Sequence, residues 1–508
     1  MEPKSRNSIS LITLTMKHIF SLLAMLCLTA TVSSSYAQNT GGFESANEYV
    51  VLASADVQND AQWIPIVDAL KERHSAEVLF YKDSPRDVLK DLKRIKPRYV
   101  AIVDKPENIG RDYVIDMHNM SREIDDDIFE DFLWGMITGR DAAAAMRMIE
   151  NSAEPFVIHD AVATIMETNS AKWFDRYAWV DDHTKGLWGQ KKGKDMVVET
   201  DTVAPEKVLK KFTDIYAEYD PDLIITAAHA SEHRLEMPFS LGYLVPKEGK
   251  LMALTKDGES TWDLEQSGKR RVYFAVGNCL IGNMNNTPNS MAATWMNSAN
   301  AATMIGYVVT TWHGRAGWGA LKYWLTTPGR YTLAESVFLN QQDFTNQQNE
   351  WYPSLFKKRY PSFGRDEFKE ASKVIGKAIK GEPTSDQIGF WHDRDVLAYY
   401  GDPKWDLRLQ QIPEENGYTV TTKIDKGKCI VTIETKDNFS LDLLKGDKFK
   451  QEHVLDLPFS LFFPERLNNP RLAKGQDWKV ALDENFLLVY NNDFQPNKTY
   501  TIELDIDN

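Results

Sequence analysis

The chain has 508 residues, more than the roughly 150 of an ordinary domain, so we expect two to four domains. Hydrophobic residues make up 43% and charged residues 26% of the chain, a composition that excludes a disordered, fibrous or multi-spanning membrane protein. The excess of 73 Asp+Glu over 59 Lys+Arg gives a formal charge of −14, which disfavours nucleic acid and anionic membrane surfaces as partners.

The first 37 residues have the pattern of a secretory signal peptide. A basic start at Lys17 is followed by the apolar run Ile19 to Ala30 and by a small-residue cleavage site ending at Ala37. The apolar run is shorter than the roughly 20 residues that a membrane span needs. We therefore expect export to the periplasm, cell surface or medium, with no membrane insertion after signal removal, and a flexible leader over 38–47.

From residue 48 the chain alternates short apolar strands with amphipathic helices, which predicts a parallel sheet with helices on both faces. The predicted strands are Tyr49–Ala53, Glu77–Tyr81, Tyr99–Val103, a stretch ending at Thr138, Leu223–Ala228, Arg271–Val276 and Met304–Thr310. The predicted helices include Ala61–Arg73, Pro85–Ile95, an Ala-rich helix ending near Glu150, and Lys207–Tyr219. Residues 340–400 have a helical and polar pattern.

From about Asn416 the pattern changes to alternating polar and apolar residues with turn residues between the runs. This predicts a small β-sandwich over 413–508 that follows an α/β domain over 48–412, itself divided into subdomains at about 48–190 and 191–412. Cys429 falls in one alternating run, and we expect it to pack as an apolar residue.

Two reactive side chains directly follow two predicted strands. His229 comes after Leu223–Ala228, and Cys279 comes after Arg271–Val276. Ligands of open α/β sheets bind beyond the carboxyl ends of strands, so these side chains could meet at one edge. Cys279 would then be the nucleophile and His229 its base, with Gly282 easing the approach of backbone N–H groups to an oxyanion. The alternative is a core cysteine and a hydrogen-bonded strand-end histidine.

The order of these elements resembles the caspase-like cysteine peptidases, and several segments resemble the gingipain family specifically. The segments are Asp126–Arg140, the nucleophile turn Asn278–Gly282, the strand and Gly-rich loop Met304–Gly319, and the stretch Leu397–Leu409 with its Gly-Asp-Pro signature. The resemblance implies a caspase-like sheet flanked by helices, followed by an immunoglobulin-like β-sandwich. It also implies hydrolysis of peptide bonds through a Cys-His dyad and an acyl-enzyme, without a cofactor or metal.

The resemblance also implies further site residues, and the chain departs from the family at two positions. The N–H groups of Cys279 and Ala230 would hold the oxyanion, and Asp126 would orient His229, although Asp126 also fits a solvated surface. The family usually has Gly where this chain has Ala230, and it often has Ala where this chain has Asn278. Since Ala resists the φ > 0 conformations that Gly accepts, activity itself is open.

A tryptophan-rich region follows Cys279. We predict that Trp312, His313 and Trp318 bind the peptide substrate, because Trp buries a large area against peptide side chains. Trp295 and Trp324 belong to the same cluster, and packing in the core is the alternative for all of these tryptophans.

Two other functions compete with the cysteine peptidase. Residues 229–233 spell HASEH, the HxxEH pattern of zinc peptidases in which both His bind zinc from one face of a helix. The short distance to Pro238 leaves little room for such a helix. Alternatively, the departures at Ala230 and Asn278 fit a secreted relative that binds peptides without cleaving them. The oligomeric state stays open.

Overall fold

The computed structural model describes residues 48–165, 171–193, 197–311, 314–356, 367–412, 417–445, 456–491 and 493–507, and all structural statements below concern these residues. The predicted signal peptide and leader lie outside them. In the described part, no helix has the length and apolar character that crossing a membrane requires.

The first part of the chain alternates strands and helices, as its apolar runs predict. The strands are β1 (Tyr49–Ser54), β2 (Glu77–Tyr81), β3 (Tyr99–Val103) and β4 (Leu133–Ile137). The helices are α1 (Ala55–Gln58), α2 (Ile64–His74), α3 (Leu89–Ile95), α4 (Arg111–Ser121) and α5 (Ala142–Asn151). Every residue of β1, β3 and β4 is buried, as expected of parallel strands covered on both faces.

The second part adds more strands and longer helices. Its strands are β5 (Phe156–Ile158), β6 (Asp160–Ala163), β7 (Arg176–Val180), β8 (Leu187–Lys192), β9 (Glu199–Thr202), β10 (Leu223–Thr226), β11 (Ala230–Ser231), β12 (Arg234–Glu236), β13 (Tyr243–Lys247), β14 (Lys250–Leu254), β15 (Thr261–Asp263), β16 (Arg271–Ala275), β17 (Ala301–Tyr307), β18 (Leu397–Tyr400) and β19 (Leu407–Leu409). Its helices are α6 (Val208–Tyr219), α7 (Met291–Ser298), α8 (Arg315–Thr326), α9 (Leu333–Trp351), α10 (Glu367–Ile379) and α11 (Ser385–Asp393).

One 12-stranded sheet runs through both parts, in the order β2-β1-β3-β4-β18-β17-β16-β10-β6-β7-β8-β9. The strands from β2 to β4 are parallel to one another, and so are β17, β16, β10, β6 and β7. β18 is antiparallel to β17 and meets β4 through Tyr400 and Met136. The loop after β16 contacts the loop after β3, because Asn286 donates its N–H to Ile109 O at 2.9 Å, so the carboxyl ends of β3 and β16 lie on one edge of the sheet.

Smaller sheets flank this central sheet. β11 to β15 form a five-stranded antiparallel sheet, and β19 pairs with β5. The antiparallel sheet begins at the residue after His229, because β11 starts at Ala230 and pairs with β12.

The residues from Tyr418 to Asp505 form two further antiparallel sheets. Their strands are β20 (Tyr418–Asp425), β21 (Lys428–Thr435), β22 (Phe459–Phe462), β23 (Arg471–Leu472), β24 (Val480–Asp483), β25 (Phe486–Val489) and β26 (Thr499–Asp505). β20, β21, β26 and β23 make one sheet, and β22, β25 and β24 make the other. The two sheets share a core that includes Cys429, which is fully buried as predicted. Burial raises the pKa of this thiol to about 11.

Candidate active site

The turn that follows β16 carries Cys279 and is folded tightly onto β17. Leu280 has a left-handed backbone with φ 58°, a strained conformation for a residue with a side chain. Gly282 donates its N–H to Tyr307 O at 2.9 Å. A Cβ on Gly282 would lie 2.3 Å from the backbone oxygen of Gly306, so only glycine permits this approach. The backbone around Cys279 is therefore held in one conformation.

Asn278 joins the ends of the two strands that carry the predicted dyad. Its side-chain amide donates to Ala228 O at 2.9 Å, and its Oδ1 accepts from the Thr226 hydroxyl at 2.7 Å. The side chain is fully buried, so both hydrogen bonds lie away from water. Cys279 follows Asn278 in the chain and His229 follows Ala228, so this clamp brings the two residues to neighbouring positions on one edge.

The thiol of Cys279 is half-buried and accepts a hydrogen bond from the Thr311 N–H. Burial raises the pKa of the thiol, the Thr311 N–H lowers it, and the negative charge of Asp393 raises it, with a net upward shift. The resting side chain is thus a protonated thiol near neutral pH, and it needs a base in order to act as a nucleophile.

Asp393 is the last residue of α11, and its buried carboxylate packs against the N-terminus of α8. It accepts from Arg315 N–H at 2.7 Å and from the Thr311 hydroxyl at 3.1 Å. Tyr307 continues the network, because its hydroxyl accepts from Gly317 N–H at 2.7 Å. Asp393 therefore fixes the segment whose backbone N–H binds the sulfur of Cys279.

His229 is exposed, and the residues after it form a hairpin. Its carbonyl accepts from Glu236 N–H at 2.9 Å, and Ala230 pairs with Leu235 across β11 and β12. Glu232 and His233 occupy the turn of this hairpin. The zinc-peptidase alternative requires both His of HASEH on one helical face, and a two-residue hairpin turn does not provide that face.

The hairpin also bears on the departure at Ala230. Ala230 lies in β11 and has no positive φ, so its backbone conformation is open to any L-residue. An alanine in the family's glycine position therefore introduces no backbone strain. Its role in holding an oxyanion stays a prediction.

A cavity of about 670 Å³ adjoins the nucleophile turn. It lies between the two halves of the α/β part, with Leu280 and Glu232 from the second half and Asp83, Arg86 and Asp116 from the first. Arg86 is paired with Glu123 at 2.9 Å and lies 3.6 Å from Asp116. The cavity therefore has polar walls that carry both carboxylates and guanidinium groups, beside the residue that follows Cys279.

Three solved structures are similar to this chain. The Arg-specific cysteine proteinase gingipain R (RgpB) is similar with a TM-score of 0.43 and 9% identity, over 92% of this chain and 93% of that one. A complex of the Porphyromonas gingivalis RgpB pro- and mature domains matches with a TM-score of 0.38 and 9% identity, over 91% and 94% of the two chains.

A third solved structure, described as a protease, has a TM-score of 0.37 and 10% identity over 78% of this chain and 85% of that one. No protein-family model matches the sequence, and no curated protein matches it significantly. The predicted α/β architecture, a mostly parallel sheet flanked by helices, is present in the structure.

The fold does not bring Asp126 to His229. Asp126 is exposed in the segment before β4, between Asp125 and Asp127, whose carboxylate oxygens lie near that of Asp483 in the β24–β25 hairpin. Four strand spacings of about 4.8 Å separate β4 from β10, or about 19 Å. The assignment of Asp126 as the group that orients His229 is therefore wrong on distance.

The tryptophan cluster belongs mainly to the core. Trp318 is 1% exposed and packs below the nucleophile turn, where its indole nitrogen would lie 3.4 Å from a Cβ on Gly277. Trp295 and Trp324 are equally buried. The assignment of Trp318 as a substrate-binding residue is therefore wrong, because none of its surface is available. Trp312 and His313 lie outside the described residues.

Sequence reasoning missed Thr311 and Asp393, which contact or influence the thiol. Thr311 follows β17 and Asp393 ends α11, so 82 residues separate the two in the chain. Thr311 lies at the end of a predicted strand, and that position was a usable signal. Asp393 lies in a helical, polar region where one carboxylate resembles the others, so no pattern distinguishes it.

Proposed function

We propose that the chain is an exported cysteine endopeptidase in which Cys279 is the nucleophile and His229 the general base. The observation that carries the proposal is the buried Asn278 side chain, bonded to both Thr226 and Ala228. Because it ties the ends of β16 and β10 together, a thiol and an imidazole follow two clamped positions on one edge.

The proposed reaction begins with transfer of the Cys279 proton to His229. The sulfur then attacks the peptide carbonyl, and the N–H groups of Cys279 and Ala230 stabilise the oxyanion. The imidazolium gives its proton to the leaving amine, and an acyl-enzyme remains. Water, deprotonated by His229, hydrolyses the thioester and restores the thiol.

The cavity beside Leu280 supports a peptide as the substrate. Its volume of about 670 Å³ lies in the range of small-ligand sites, and its acidic residues Glu232, Asp83 and Asp116 fit the polar groups of an extended peptide. Export rests on the signal-peptide pattern of residues 1–37.

A peptide-binding protein without turnover is the second candidate. The raised pKa of the Cys279 thiol favours it, since the sulfur is protonated and engaged by the Thr311 N–H.

Digestion of a peptide library separates the two candidates. We expect the full chain to cleave peptides under reducing conditions, and Cys279→Ala and His229→Ala to lose cleavage while still binding uncleaved peptides. Cys429→Ala is the matched control, because this thiol is buried in the sandwich. Equal binding without cleavage by the wild type and Cys279→Ala would favour the binding protein. Cleavage that survives in Cys279→Ala would exclude a thiol nucleophile.

A further inference from the structure

A second cavity lies on the sandwich and shares no residue with the cavity beside Leu280. Its volume is about 710 Å³, in the range of small-ligand sites. Two aromatic residues, two carboxylates, an amide and a leucine line it, namely Trp478, Tyr490, Asp477, Asp493, Asn491 and Leu441. The cavity therefore combines flat apolar surfaces with polar groups, a mixture that suits a ligand with both characters.

The two aromatic rings are held in place by contacts behind them. Trp478 packs edge to face against Phe494 and Tyr500, whose ring centres lie 5.9 Å and 6.4 Å away. The Tyr490 hydroxyl donates to Asp343 Oδ1 at 2.9 Å, which fixes this ring against α9. Trp478 and Tyr490 are half-buried, so part of each residue is open at the cavity. A ligand that stacks on these rings thus has little protein to order.

Three polar groups at the cavity are not used by the protein itself. Asp477 and Asp493 are exposed, and their carboxylates have no ion pair or hydrogen bond among the described residues. The Trp478 indole N–H also lacks a partner in this part of the chain, and it is not a buried group. Asn491 differs, because its side chain accepts the Lys479 N–H at 2.6 Å and donates to Asp477 O at 3.1 Å. Two carboxylate acceptors and one N–H donor are thus available to a ligand.

The charges around the cavity disfavour an ionic ligand of either sign. The Lys479 ammonium lies 5.6 Å from the centre of the Tyr490 ring and 3.0 Å from Glu350. Because this ammonium already interacts with the ring, a second cation beside Tyr490 would be repelled. An ammonium group also has no lone pair to accept the Trp478 indole N–H. The two free carboxylates in turn repel an anion.

We propose that this cavity binds a neutral oligosaccharide, with hexopyranose rings stacked on Trp478 and Tyr490. A pyranose with equatorial hydroxyl groups has a flat C–H face that packs on an aromatic ring. Each sugar hydroxyl both donates and accepts, so such a ligand can donate to Asp477 and Asp493 and accept from the Trp478 indole N–H. It thereby uses every free polar group at the cavity. The site lies outside the proposed peptidase machinery, so it does not depend on the proposed function.

Calorimetric titration of the full chain with neutral and charged probes tests the site. The neutral probes are the β-linked hexasaccharides cellohexaose, laminarihexaose and mannohexaose, and the charged probes are polygalacturonate and choline chloride. We expect saturable binding of at least one hexasaccharide and weaker binding of both charged probes. Trp478→Ala should weaken this binding by about tenfold or more, because it removes the main stacking surface. Trp262→Ala is the matched control, since Trp262 is also half-buried but lies in β15, outside the cavity.

A second variant separates ligand binding from folding, because Trp478 also packs against Phe494 and Tyr500. Asp477→Ala removes only an exposed carboxylate, so its Tm should equal that of the wild type while its affinity falls by about tenfold. Asp425→Ala is its control, because Asp425 is an exposed aspartate of β20 outside the cavity. Absence of binding to every hexasaccharide, equal or tighter binding of a charged probe, or equal affinity in Asp477→Ala and Asp425→Ala would each overturn the site.

Discussion

At the scale of single residues, the ionisation of Cys279 is set by its buried surroundings. Burial and the negative charge of Asp393 both raise the pKa of the thiol, and the single N–H of Thr311 does not compensate. The same carboxylate accepts the Arg315 N–H at the start of α8. One side chain thus stabilises a helix terminus while it disfavours the thiolate.

Asp393→Asn should separate these two effects. Loss of the negative charge lowers the pKa of the Cys279 thiol, so the thiolate fraction at a given pH rises and the pH midpoint of alkylation moves down. The neutral amide is a weaker acceptor at the helix N-terminus, so we expect the free energy of unfolding to fall by about 1 kcal/mol. Iodoacetamide labelling across pH, resolved by residue with mass spectrometry, measures the first effect, and urea denaturation measures the second.

Cys429 is the internal control for this labelling. Its thiol is fully buried and its pKa is raised to about 11, so its labelling should stay slow in both proteins. A midpoint for Cys279 that stays in place or moves to higher pH in Asp393→Asn would contradict the assigned influence of the carboxylate.

At the scale of secondary-structure elements, Asn278 determines how the ends of β10 and β16 lie. Backbone pairing between these strands extends to Val276 N–H, which donates to Thr226 O at 2.9 Å. Beyond that point the side chain of Asn278 replaces the backbone ladder. Asparagine suits this task because one amide supplies both a donor and an acceptor. Asn278, which stands where the family often has Ala, therefore stabilises the ends of these two strands.

Asn278→Ala should cost more activity than a variant that removes only one of the two bonds. It removes the donor to the Ala228 carbonyl and leaves the Thr226 hydroxyl with the Tyr273 hydroxyl as its partner, which we expect to lower the free energy of unfolding by about 1–3 kcal/mol. Thr226→Val removes the hydroxyl but keeps the bond from Asn278 to Ala228. Urea denaturation gives the stabilities, and kcat/KM on a cleaved peptide gives the activities. Equal activity losses in the two variants would argue against the clamp.

The strands were predictable because burial on both faces requires continuous apolar runs. The run Tyr49–Ala53 became β1, and Arg271–Val276 became β16, each within one residue of the predicted bounds. The position of Cys279 and His229 after adjacent parallel strands follows from the same signal. What these runs encode is local, namely which segments are extended and buried.

The direction of a strand and the conformation of a short polar segment are not encoded in that way. β18 is as apolar as the others, yet it runs antiparallel to β17 because of how α9 to α11 return the chain. The segment HASEH is equally compatible with a helix turn until β12 pairs with β11. The predicted role of Asp126 was wrong for a related reason. The position of Asp126 depends on the sandwich, which its neighbours Asp125 and Asp127 contact.

At the scale of the whole molecule, the sandwich contacts the edge of the central sheet that lies opposite to the candidate site. Arg98 precedes β3 and Asp131 precedes β4, and both contact the sandwich from the amino ends of those strands. The carboxyl ends of β10 and β16 lie on the other edge, together with that of β3, because Asn286 after β16 donates its N–H to Ile109 O after β3 at 2.9 Å. The contacts of Arg98 and Asp131 therefore hold the sandwich at the edge away from Cys279 and His229.

Arg98 is the side chain that most directly fastens the sandwich to the sheet. It is 4% exposed, donates to the carbonyls of Phe463 and Pro464, and its guanidinium lies 4.4 Å from the ring centre of Phe462. Charged hydrogen bonds of this kind contribute about 1.5–3 kcal/mol, and a buried cation–π contact adds to them. We therefore expect Arg98→Ala to lower the free energy of unfolding by about 2–4 kcal/mol, measured by urea denaturation.

Arg94→Ala is the matched control for that change, because it removes an arginine a few residues earlier that is paired only at the surface. Arg94 is more than half exposed and lies 3.0 Å from Glu77 and 3.4 Å from Asp91. Exposed ion pairs contribute about 0–1 kcal/mol, so this variant should stay close to the wild type. Because Arg98 holds the sandwich in place, its loss should also let limited proteolysis cut between the α/β part and the sandwich. Equal stability and proteolysis in the two variants would mean that the apolar contacts alone seat the sandwich.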